Sequence, residues 1–294
     1  MALLTAETLA RLSGVKLRAR TLMEGVLSGL HKSPLQGQSV EFAEHKEYSP
    51  GDELRHLDWK VFGKFDRYYV KRFEHETHLR AFLVVDTSGS MSYASGALSK
   101  LEAAAALAGA LCYLLVRQQD AVGVTLVSGD ALVEIPARAS AGHLAPLLEA
   151  LESAHANGPT DLARAAELVA ERAGRRSFVG VFSDFLEPSD AGFSRLLQLR
   201  ARRHDVAFFH LLDAAEIMFP FQDPMLFLDT EGDARVEVNA RDIAESYREE
   251  FEQFLHETRR RCAESDVDYT QVRTDAPLDV PLLRFMMQRQ RGRP

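Results

Sequence analysis

Apolar residues recur along the chain at two different periods, and the change from one to the other marks its organisation. Leu9, Leu12, Val15, Leu22, Val26 and Leu30 stand at mostly helical spacing, and Gly29, Ser33 and Pro34 stop that pattern. One or two helices are therefore predicted before residue 35. From Gly37 to His78 periodicity fades into charges and aromatics, among them Phe42, Tyr48, Trp59, Phe62, Phe65, Tyr68, Tyr69 and Phe73. With the turn signal Ser49-Pro50-Gly51-Asp52, this stretch reads as short strands and ordered loops packed on something else.

From Arg80 onward, short β-type runs alternate with amphipathic helices, the pattern of βαβ units around a largely parallel sheet. Ala81 to Val85 is a buried-strand run ending at Asp86, and Ser99 with Glu102 forms a capping box for a helix from Lys100 to Val116. Ala121 to Val127 and Ala131 to Ile135 flank the tight turn Ser128-Gly129-Asp130, which predicts a hairpin and one antiparallel strand at the sheet edge. His143 to Ser153 and Asp161 to Ala173 read as helices, Ser177 to Ser183 as a strand ending at Asp184, Ala191 to Arg203 as a helix, and Asp205 to Leu211 as a strand. A looser section from Phe219 to Val238 has room for another hairpin. Ile243, Tyr247, Phe251, Phe254, Thr258 and Cys262 mark one face of a long helix, and Asp268 to Val272 is the last predicted strand. The tail from Arg284, with Arg289, Arg291 and Arg293 and no acid, reads as a solvated end. The expected division is a helical and irregular region at 1–79, an α/β three-layer sandwich at 80–275, and a C-terminal helix or tail at 276–294.

Composition narrows the class. With 46% apolar and 27% charged residues, the 294-residue chain resembles an ordinary globular protein and not a disordered one. A net charge of -8 repels polyanions, so nucleic acid is not an expected partner. Cys112 and Cys262 lie in apolar helical patterns without metal-ligand spacing and read as reduced core thiols. The longest charge-free run, Ala103 to Val116, is too short to span a bilayer, and the N-terminus lacks the layout of a secretory signal, so the cytoplasm is the expected compartment.

Ligands of open parallel sheets bind beyond the carboxyl ends of the strands. There the sequence Asp86-Thr87-Ser88-Gly89-Ser90-Met91 sets one carboxylate and two hydroxyls at alternate positions of a tight loop. Oxygen donors with a single anion suit a hard divalent ion such as Mg²⁺, with Mn²⁺ or Ca²⁺ as chemical alternatives. Three donors leave the shell incomplete. Thr160, before a helix, and Asp184, at the end of the next parallel strand, are the candidates to add to it.

Asp86-x-Ser88-x-Ser90 followed by Thr160 and Asp184 resembles the metal-ion-dependent adhesion site of von Willebrand factor A domains, matched at all five positions. The upstream segment is similar to the bacterial family named domain of unknown function 58. The matching residues are Gly37-Gln38-Ser39, Phe42, Tyr48-Ser49-Pro50-Gly51-Asp52, Arg55, Asp58-Trp59 and Tyr69-Val70-Lys71-Arg72-Phe73-Glu74. That resemblance implies a MoxR-type AAA+ ATPase as partner, acting on a client protein whose identity the sequence does not carry. It also implies a role for the bound Mg²⁺: an acidic side chain of another protein completes its coordination. The protein is then an adaptor and not an enzyme.

Rival readings use the same residues. A Mg²⁺-dependent phosphohydrolase or phosphotransferase would use Asp86 as nucleophile. Haloacid-dehalogenase-type enzymes, however, need a second Asp two positions on, where this chain has Ser88. No G-x-S-x-G elbow, P-loop or G-x-G-x-x-G loop is present, and His45, His56, His75 and His78 form no ligand pattern. Within 37–78, Asp52, Arg55, Asp58, Trp59, Lys71 and Arg72 are candidates for a partner-docking face, since Trp and Arg dominate interface energetics.

Overall fold

The computed structural model describes residues 14–31, 45–47, 69–71, 79–129, 131–174, 176–186, 190–232 and 234–290. They fall into two compact units, one within residues 31–78 and the other containing the described residues on both sides of it. In the smaller unit, β1 (His45–Glu47) and β2 (Tyr69–Lys71) pair antiparallel, with His45 opposite Lys71 and Glu47 opposite Tyr69. Asp52, Arg55, Asp58, Trp59 and Arg72 lie outside the described residues, and Lys71 is described only as a backbone position in β2.

The larger unit begins with α1 (Val15–His31) and resumes with β3 (Arg80–Asp86), α2 (Lys100–Arg117), β4 (Ala121–Ser128) and β5 (Ala131–Arg138). It continues through α3 (Leu144–Glu152), α4 (Leu162–Arg172), β6 (Phe178–Ser183), α5 (Ala191–Ala201) and β7 (Asp205–Leu212). After the short α6 (Ala214–Met218) come β8 (Pro224–Leu228), β9 (Arg235–Asn239), α7 (Ala240–Glu264), β10 (Asp268–Arg273) and α8 (Asp279–Gln290). Six strands form one sheet in the order β5-β4-β3-β6-β7-β10. Every neighbouring pair is parallel except β4 with β5, so the predicted antiparallel edge strand is present. The looser section does form a hairpin, β8 pairing with β9.

Alternation along the central strands explains the three layers. Leu83 and Val85 of β3, Phe182 of β6, and Phe209 and Leu211 of β7 face a core built with α1, α2, α3 and α8. Their neighbours Phe82, Val84, Val181 and Phe208 face a second core built with α4, α5 and α7. Strands covered on both faces carry continuous apolar runs, which is why they were so plain in the sequence.

The division of the chain differs from the expected one at both ends. Val15, Ala19, Leu22 and Val26 of α1 are buried in the first core, so α1 belongs with the sheet and not with residues 31–78. Its close approach to α2 depends on Gly109, where an added Cβ would lie 2.8 Å from the Cβ of Ala19. At the other end, Leu278, Leu282 and Phe285 are buried against the same core. Arg289 is not a solvated residue: its guanidinium lies 4.6 Å from the Phe178 ring centroid and pairs with Asp205. Cys112 and Cys262 are free and buried, and burial pushes the Cys262 thiol up to about 12. Both expected core thiols are therefore held protonated at neutral pH.

Candidate metal centre

The strand order reverses between β3 and β6, whose connections leave toward opposite faces of the sheet through α2 and α5. A crevice opens at the carboxyl ends of strands at such a switch point. Asp86 is the last residue of β3, and Asp184 follows the last residue of β6.

The loop after β3 is shaped so that alternate side chains face inward. Thr87 turns toward β4, where its N–H and hydroxyl both donate to the Val127 carbonyl at 2.8 and 3.0 Å. Ser88 donates its N–H to Asp86 Oδ1 at 2.9 Å, and the Ser88 and Ser90 hydroxyl oxygens lie 3.1 Å apart. A short 3-10 turn, Gly89–Ser92, then buries Met91 beneath the loop.

Thr160 is brought in by the loop between α3 and α4. Asn157 donates its N–H to the Thr87 carbonyl and Gly89 donates to the Gly158 carbonyl, both at 2.8 Å, while Gly158 takes the left-handed φ of +68° that this turn requires. The α4 N-cap is Asp161, which accepts from the Arg164 N–H at 2.9 Å, so the Thr160 hydroxyl is left to the site. It lies 3.4 Å from Asp86 Oδ2.

Asp86 is completely buried, and its hydrogen-bond partners are uncharged: the Ser88 N–H, the Ser183 hydroxyl at 2.6 Å and the Thr160 hydroxyl. Burial, reinforced by the nearby charge of Asp184, pushes its carboxyl up to about 7, against the opposing hydrogen bonds from Ser183 and Ser88.

Asp184 has a different environment. Its Oδ2 accepts from Lys100 Nζ at 2.7 Å, and its Oδ1 accepts from the Leu186 N–H at 3.2 Å. Lys100 is the first residue of α2, yet it is fully buried and also donates to Glu216 of α6. Burial alone would pull the ammonium down, but Asp184 and Glu216 outweigh it and hold its pKa above the ordinary value. Burial raises Glu216 even beside Lys100. Glu216 in turn caps α6 with Asp213, which accepts from the Ser95 backbone and hydroxyl and from the Thr274 hydroxyl.

Asp86 and Asp184 alone would balance a dication. Lys100 changes that balance, because Asp184 already has a cationic partner while Asp86 has none among the described residues. Among the described residues no three of His, Cys, Asp and Glu gather as metal ligands. The oxygen set here consists of carboxylates and hydroxyls.

Sequence reasoning missed three further side chains. Lys100 carries no signal, since a lysine in the first turn of a helix is usually solvated. Ser183 was hidden as the last residue of an apolar strand. Glu231 sits in the β8–β9 turn, where Oε2 accepts from the Thr160 N–H at 3.2 Å and Oε1 lies 3.5 Å from the Thr160 hydroxyl. Gly89 has a reason beyond the tight turn inferred for it: an added Cβ would meet the Thr230 carbonyl oxygen of that same turn at 1.9 Å.

A doubly wound sheet with one antiparallel edge strand, bearing a D-x-S-x-S loop at its switch point, defines a von Willebrand factor A-like α/β sandwich. The chain belongs to the family described as protein of unknown function DUF58, which matches residues 44–261. It is 27% identical over 290 residues to uncharacterized protein Rv1480 of Mycobacterium tuberculosis, covering 96% of this chain and 90% of that protein. The same identity and coverage relate it to uncharacterized protein Mb1516 of Mycobacterium bovis. Among solved structures it is similar to the conserved hypothetical protein BatB of Bacteroides thetaiotaomicron, at 13% identity and a TM-score of 0.48 over 73% of this chain and 100% of that one. It is also similar to the SpRpn10 VWA domain, at 8% identity and a TM-score of 0.42 over 69% and 93%. The fold assignment rests on the sheet topology and not on these two likenesses. No helix among the described residues is long and apolar enough to cross a membrane.

Proposed function

We propose that this protein is a non-enzymatic adaptor that holds a Mg²⁺ through Asp86, Ser88, Ser90, Thr160 and Asp184 and binds an acidic side chain of a partner through it. The observation that carries this reading is Asp86: a buried carboxylate among hydroxyls, with no cationic partner among the described residues. A hard dication would supply the missing charge and accept these oxygens as ligands. When bound, the ion offers an open position to an oxygen anion. The chain's own residues do the rest: Ser88 and Ser90 orient toward one point, Thr160 approaches from a second loop, and Lys100 fixes Asp184 in place. The partner proposed from the family resemblance is a MoxR-type AAA+ ATPase, which the adaptor would link to a client protein in assembly or maturation, in the cytoplasm.

Capture of a MoxR-type ATPase by the immobilised protein tests the reading. Wild-type protein is expected to retain it in Mg²⁺ and release it in EDTA, and Asp86→Ala protein is expected to retain none under either condition. Equal retention with and without chelator would refute metal-dependent docking. A phosphohydrolase using Asp86 would instead release phosphate from simple esters when Mg²⁺ is added, and the adaptor releases none.

A further inference from the structure

The turn joining β8 to β9 touches the candidate site through Thr230 and Glu231. Two contacts seat it there, and a third, within the turn, shapes its tip. The Glu231 carboxylate takes the Thr160 N–H and approaches the Thr160 hydroxyl. The Thr230 carbonyl rests on Gly89, in the space a Cβ would occupy. Asp229 Oδ1 accepts the Glu231 N–H at 2.9 Å, an Asx turn that shapes the tip and aims Glu231 inward. The Thr160 hydroxyl is thus shared, lying 3.4 Å from Asp86 Oδ2 and 3.5 Å from Glu231 Oε1.

The turn thus sets a carboxylate beside a hydroxyl of the candidate oxygen set. Glu231 stands on Thr160, whose hydroxyl is 3.4 Å from Asp86 Oδ2, and the buried cation nearby, Lys100, is engaged by Asp184 and Glu216. The hairpin behind the turn is weakly held. It has only two strands, and Leu226, Leu228 and Val236 are more than half exposed. Phe227, near the turn end of β8, packs on Phe219, which also meets Tyr247 of α7. A two-stranded ribbon outside the main sheet, with little apolar burial, can open without disturbing that sheet.

We infer that Glu231 is an intramolecular occupant of the position through which the site would take a partner's acid, so that the β8–β9 turn holds the site closed until a competing carboxylate displaces it. The inference rests on the metal-site reading proposed above. A tethered carboxylate competes at an effective concentration on the order of mM, so only an acid backed by further contacts would open the turn.

Mn²⁺ alone is a sufficient probe, with the full chain as wild type, Glu231→Gln, Glu231→Ala and Asp86→Ala. Free Mn²⁺ is followed by electron paramagnetic resonance, and exchangeable water on the bound ion by proton relaxation. Both Glu231 variants are expected to bind Mn²⁺ roughly tenfold more weakly than wild type and to show higher water relaxation per bound ion. Added acetate should lower that relaxation in the Glu231 variants and leave wild type unchanged. Asp86→Ala should bind no Mn²⁺. If wild type binds Mn²⁺ through Asp86 while the Glu231 variants match it in affinity, relaxation and acetate response, the intramolecular occupant is ruled out and the metal site stands. If neither wild type nor the Glu231 variants bind Mn²⁺, the metal site and the occupant fall together.

Discussion

Asp86→Asn should melt a few degrees above wild type at pH 8 in EDTA, and should lose all response to Mg²⁺. The carboxyl titrates near 7 in the folded chain against 3.8 ordinarily, because it is buried beside Asp184. Between those two values the folded chain holds a proton that the unfolded chain has released. Stability from this group therefore falls as pH rises from about 4 to about 7, and the deficit is complete above that. Asn keeps the shape and the Ser88 N–H contact without the buried charge, so its advantage should shrink toward pH 5. Mg²⁺ must act in the opposite sense on wild type, since it binds the ionised form. At a hundredfold excess over its Kd, a ligand of the native state adds about 3 kcal/mol, or very roughly 6–12 °C for a chain of this size. Melting curves at pH 5 and 8, with Mg²⁺ and with EDTA, check both halves. A variant that still gains stability from Mg²⁺ would remove Asp86 from the site.

Lys100→Met should lower the melting temperature by roughly 10 °C or more at pH 8. The ammonium is fully buried between Asp184 and Glu216, and its removal leaves two carboxylates facing one another without the cation that matched them. Breaking a buried ion pair from one side costs about 3–5 kcal/mol, and each kcal/mol moves the midpoint of a protein this large by about 2–4 °C. Acid should ease the defect. Burial already raises Glu216 above the usual carboxylate range, so it takes up a proton as pH falls and the repulsion with Asp184 goes with it. Thermal unfolding by circular dichroism at pH 5 and pH 8 measures the difference. A variant within a degree or two of wild type at pH 8 would show that the triad contributes little.

These two residues mark the limit of what the chain discloses by itself. Asp86, Ser88, Ser90 and Thr160 were legible because a strand end, an alternating loop and a helix start carry their own signals, and the hydrogen bonds bring all four together. The βα alternation was legible because the central strands are apolar on both faces. Lys100 and Glu231 were not, since each acquires its role from a segment more than 70 residues away. The short α6 has the Asp213–Glu216 capping box but only five residues, too few for a period to register. In α8, Arg289 suggested solvent, whereas Leu282 and Phe285 one turn apart bury one face of the helix and the Arg289 guanidinium lies 4.6 and 5.4 Å from two aromatic ring centroids.

The packing of α1 against α2 has a topological consequence. Because α1 precedes residues 31–78 and β3 begins at Arg80, the larger unit is assembled from two stretches of chain that lie apart in the sequence. A protease nick within residues 31–78 would split the polypeptide without shedding α1, which Ala19 and Leu22 keep wedged beside Gly109.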